Sequence, residues 1–77
     1  MEKLDEKGFV FIDGNSRPYW CRLWGGVPWF MYWNDSQKSW VTLREVNQTE
    51  VWAANEMAIS DEMAEIYHKQ HREFVGA

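Results

Sequence analysis

Between Trp20 and Trp33 the chain reads WCRLWGGVPWFMYW, two aromatic runs hinged on Gly25-Gly26. Adjacent glycines accept the positive φ angles of a tight two-residue hairpin turn, so the stretch predicts two antiparallel strands. That turn pairs Trp24 with Val27, Leu23 with Pro28, Arg22 with Trp29, Cys21 with Phe30, Trp20 with Met31 and Tyr19 with Tyr32. Side chains alternate between the faces of a pleated strand. One face then holds Trp20, Arg22, Trp24, Val27, Trp29, Met31 and Trp33, and the other holds Tyr19, Cys21, Leu23, Pro28, Phe30 and Tyr32.

The pattern extends in both directions. Phe9 to Ile12 is an apolar run closed by the turn cluster Asp13-Gly14-Asn15-Ser16, which predicts a first strand, and residues 1 to 7 are polar enough to fray. Strands follow over 17–24, 27–33 and 40–46. Pro28 lies one residue inside its strand, where the missing N–H weakens the register and a bulge would shift pairs. A four-residue loop, Asp35 to Lys38, pairs Trp33 with Trp40, Tyr32 with Val41, Met31 with Thr42, Phe30 with Leu43 and Trp29 with Arg44. By the same parity Val41 and Leu43 join the ordinary core face, while Trp40, Thr42 and Arg44 extend the tryptophan face.

After Val46 the period changes to that of a helix. Asn47 with Glu50 makes a capping box and Val46 with Val51 a hydrophobic staple, predicting a helix over 48–58. Ser60 caps a second helix over 61–74, with Asp61 and Glu62 in its first turn and Met63, Ile66, Tyr67, Gln70 and Phe74 as its inner stripe. The expected fold is α+β in one domain: a four-stranded antiparallel meander over 8–46, followed by two short C-terminal helices packed on one face.

Composition sharpens this outline. A chain of 77 residues is near the size where one core only just sustains a fold. Its one cysteine forbids an internal disulfide and suits a reducing compartment, and the apolar run near the N-terminus is too short for a signal sequence or a membrane span. A bacterial or host-cell cytoplasm is the expected setting. The net charge of −4 belongs entirely to residues 47–77, since the first 46 residues are neutral. That balance disfavours non-specific binding to duplex DNA, which needs many cations, and leaves protein partners open.

Six tryptophans exceed what one small core holds, so some should meet helices, another subunit or a ligand. The candidate partner-binding residues are Trp20, Arg22, Trp24, Trp29, Trp33, Trp40 and Arg44, because tryptophan and arginine interleave through cation–π contacts and dominate interface hot spots. The competing reading is that the helices pack on this face and the tryptophans are core. As a homodimer interface, the same face would join two copies. As a platform for single-stranded nucleic acid it would stack bases, with Arg17, Arg22, Lys38 and Arg44 as the cations available for phosphates.

The stretch FMYWNDSQKSWV is similar to the middle of a WW domain, where an aromatic strand, a polar loop and a later tryptophan form a groove for proline-rich peptides. Phe30, Tyr32 and Trp40 would correspond. The likeness covers about a dozen residues; no proline follows the last tryptophan, and the chain continues into helices.

Catalysis and metals find less support. Cys21, His68 and His71 could ligate zinc, but a fourth ligand is lacking, and two histidines late in a helix are expected to face solvent and complement its dipole. No thiol activator or phosphate-binding glycine motif is evident. Neither enzyme activity nor a cofactor is therefore expected. The expected role is a non-enzymatic protein-interaction module, of the kind a phage or mobile element would encode to modulate a host factor.

Overall fold

The computed structural model describes residues 4–75. Strands β1 (Phe9–Ile12), β2 (Pro18–Trp24), β3 (Val27–Asn34) and β4 (Ser39–Glu45) form one antiparallel sheet in sequence order, followed by α1 (Gln48–Asn55) and α2 (Asp61–Val75). The α+β meander expected from the period change is therefore the observed fold. Gly25 and Gly26 take φ of 62° and 79°, and the β2–β3 register is the one the turn dictates, from Trp24↔Val27 to Tyr19↔Tyr32.

Between β3 and β4 the register follows the loop geometry as far as Met31↔Thr42 and then slips, so that Phe30 faces Arg44 and Trp29 faces Glu45. Leu43 is the extra residue, and instead of joining the core it is 47 % exposed. Pro28 supplies the physical reason. Leu23, its partner on β2, sends its N–H away from the hairpin to the Asp5 carbonyl, so the backbone groups of Pro28 point toward β4. There the ring nitrogen has no proton to donate. The chain instead satisfies the Pro28 carbonyl with the N–H of Val46, one bulge further along.

The two helices cover opposite faces, which corrects the expectation that both lie on one. Val51 and Ala54 of α1 close a core with Phe11, Cys21, Phe30 and Val46, against which Leu4, Phe9 and Tyr19 pack. Ala64 of α2 closes the other with Val10, Trp33 and Trp40, backed by Trp20, Met31, Ile59 and Tyr67. The connection between the helices passes around the sheet at β1: Ile59 N–H donates to the Val10 carbonyl at 2.9 Å, and Ala58 bridges Phe11. This pairing also covers the outer edge of β1, which would otherwise invite another strand.

The capping box of α1 forms, with the Asn47 side chain accepting from Glu50 N–H at 2.9 Å, and the Ser60 hydroxyl accepts from Met63 N–H at the start of α2. Residues 4 to 7, expected to fray, are docked. Leu4 reaches the α1-side core, and the Lys7 carbonyl accepts the Trp20 indole N–H at 2.8 Å. Residues 1–3 of the expected frayed segment lie outside the described residues. Gly8 makes this path possible: its φ is +58°, and a Cβ there would fall 1.9 Å from the Cys21 carbonyl oxygen.

Candidate functional site

Helix α2 crosses the tryptophan face from β1, where Ala64 meets Val10, to β4, where His71 Nδ1 accepts the Trp40 backbone N–H at 3.2 Å. Beneath it Trp33 and Trp40 are buried and meet edge-on, with ring centres 5.1 Å apart. Tyr67 lies against both, and His68 sits edge-on to Trp20 at 4.6 Å. Among the seven candidate docking residues, Trp33 and Trp40 are thus core, and Trp20 is half-covered.

Arg44 does not belong to this face. The bulge at Leu43 turns it to the α1 side, where its guanidinium lies over the Phe30 ring at 5.5 Å and pairs with Glu50 of α1. That guanidinium holds the Glu50 carboxyl below the usual carboxylate range. Its role is to fasten α1 to the sheet.

Trp24 and Trp29 lie outside the cluster that α2 packs on, and Arg22 borders the helix across a groove. Trp24 is 58 % exposed at the tip of the hairpin, and Trp29 stands opposite Arg22 on β3. The Arg22 guanidinium carbon sits 4.5 Å from the Trp20 ring centre and 5.7 Å from that of Trp24, so one cation bridges two indoles along β2. Residues i and i+2 on one strand share a face, and that spacing is all the geometry requires. The Arg22 Nε is buried without a hydrogen-bond partner among the described residues.

Beside this cluster a groove of about 520 Å³ runs to α2, lined by Lys7, Trp20, Arg22, Met31, Glu65, His68, His71 and Arg72. Arg72 pairs with Glu65 and holds that carboxyl below its usual range. Burial lowers the pKa of His68, opposed by the Glu65 carboxylate. The site is therefore aromatic and cationic, on a chain whose overall charge is negative.

The histidines, expected to face solvent, are packed on the tryptophan face. Cys21 lies in the core on the other side of the sheet, so the three candidate zinc ligands are not brought together. Burial pushes the Cys21 thiol up to about 12, which leaves it in the unreactive protonated form. Nor do the residues of the WW-like stretch share a groove: Phe30 and Tyr32 face the α1 side and Trp40 the α2 side.

The sequence did carry a signal for how α2 docks. Ala64, Tyr67, His68 and His71 recur at helical spacing, a small residue followed by flat rings, and together they fit closely over a layer of indoles. Among the described residues no helix is long and apolar enough to cross a membrane. No protein-family model, no curated protein and no solved structure matches this chain.

Proposed function

We propose that this chain is a small, non-enzymatic protein-interaction module that docks through the corner formed by Arg22, Trp24 and Trp29, and that it serves as an accessory factor of the phage or mobile-element kind, modulating a host protein. The observation that carries this reading is the cation held between two indoles at the uncovered end of the sheet, with Trp24 more open than closed. Packing against Trp20 and Trp24 restrains the Arg22 side chain before a partner arrives, which reduces the ordering entropy lost on binding. Tryptophan and arginine are also the side chains whose removal costs most at interfaces.

The nucleic-acid alternative has less support. Of the four cations considered for phosphates, Lys38 is paired with Asp35, and Arg44 with Glu50 on the other face.

The test is affinity capture with the purified chain. Trp24→Ala should reduce recovery of the partner by a factor of about 30, the effect of a ~2 kcal/mol hot spot. Arg44→Gln, on the opposite face, should leave recovery unchanged. Equal recovery by the wild type and Trp24→Ala, with matching circular-dichroism spectra, would overturn the assignment.

A further inference from the structure

Of the stripe that the sequence marks as the buried side of α2, Tyr67 does pack on Trp33 and Trp40, but Met63, Ile66 and Phe74 face outward. Met63, Ile66 and Phe74 are 52, 56 and 54 % exposed, because the helix docks through Ala64, Tyr67 and His71 instead. With Gln70 between them, these residues follow one line along the helix, roughly 16 Å long at 1.5 Å per residue. An apolar line of this length on a helix already seated by its other side is the mark of an interaction surface.

What flanks the stripe narrows the occupant. On one side, beyond Tyr67, lies a trough of about 600 Å³ whose lining residues are mainly polar, with Asn15, Arg17, Asn34 and Asp35 beside Pro18 and Tyr67. On the other side lie Glu62 and Glu73, with the one cation Lys69 between them, and neither glutamate is engaged in an ion pair among the described residues, so this flank is net acidic. The protein's whole net charge of −4 resides in the segment that holds this helix. A second copy would bring the same negative charge to the contact, and an anionic lipid surface would repel it. A positively charged rod with one apolar face meets both requirements.

We propose that the Met63–Ile66–Phe74 stripe is a second docking surface, distinct from the Arg22–Trp24 corner, and that it receives a basic amphipathic helix of a partner protein. The partner's apolar residues, at i, i+3 or i+4 and i+7, lie on the stripe, and its lysines or arginines reach Glu62 and Glu73. With two separated surfaces, the module can bridge two proteins or grip one at two points.

The probe is a synthetic leucine–lysine peptide with helical spacing, compared with a peptide in which glutamate replaces every lysine, and followed by the methyl NMR signals of Met63 and Ile66. The lysine peptide should shift those methyls. Its affinity should fall at least about ten-fold on Ile66→Asp, and fall on Glu62→Lys combined with Glu73→Lys or on raising the salt. Trp24→Ala should leave it unchanged, so this surface and the corner succeed or fail separately. Equal binding of the two peptides, shifts that map away from α2, or an Ile66-dependent dimer in sedimentation of the chain alone would each overturn the proposal. Ile66 is exposed, and an unaltered circular-dichroism melt for Ile66→Asp verifies that the fold is intact.

Discussion

Which side of α2 is inside can be settled by two substitutions that exchange their effects under the alternative orientation. Ala64 is 7 % exposed and lies among Val10, Trp33 and Trp40. Ala64→Leu adds three carbon atoms to a contact with no room for them, at a cost of about 1–3 kcal/mol, and leaves helix propensity almost untouched. Ile66 is 56 % exposed, so Ile66→Ala forfeits less than half of the ~1.5–3 kcal/mol that full burial supplies, and the better helix propensity of alanine returns a few tenths. A net loss near ~0.5 kcal/mol is expected. In urea, followed by tryptophan fluorescence and by circular dichroism, an m value of about 1 kcal/mol/M makes these midpoint decreases of roughly 1–3 M for Ala64→Leu and about 0.5 M for Ile66→Ala. If Ile66→Ala costs more than about 2 kcal/mol, as for a buried isoleucine, while Ala64→Leu is neutral, the helix is docked through the stripe the sequence suggests, and the second surface vanishes with that result.

Gly8→Ala should lower the melting temperature by roughly 10 °C or more, because the new Cβ meets the Cys21 carbonyl in a backbone conformation that already disfavours it; a change within about 2 °C would contradict the path described for residues 4 to 8. The Cys21 thiol, with its pKa pushed up to about 12, should resist a disulfide reagent at pH 8 in the folded protein and react promptly in urea; rapid reaction without denaturant would refute its burial. Because burial lowers the His68 pKa, the unfolded chain binds the proton more readily than the native one. Stability should therefore be fully present above the unfolded value of about pH 6.5 and decline as pH falls from there toward the lower native pKa, levelling off beneath it. His68→Gln should flatten that part of the urea-midpoint profile, and an unchanged slope would assign the dependence to other groups.

The sequence by itself determined the elements whose causes are local. Gly25-Gly26 sets the hairpin and all six pairs between β2 and β3, since two residues at positive φ leave one register. Asn47 and Glu50 start α1 through their own hydrogen bonds, and alternation places Trp20, Arg22 and Trp24 together because neighbours two apart on a strand share a face. Only the tertiary structure decided which of the shared faces became core. Both sides of this sheet are apolar, so parity could group residues but could not say which side a helix would cover, and the chain covers both by turning around β1. The fate of Arg44 depended on a proline two strand positions away from the bulge: the missing N–H of Pro28 faces β4, the register gives way at Leu43, and the arginine turns over. The seating of α2 was decided by volume. Three indoles already fill the sheet surface, so close approach of the helix favours the small Ala64 at the crossing, flanked by the rings of Tyr67 and His68, and Met63, Ile66 and Phe74 are left facing solvent.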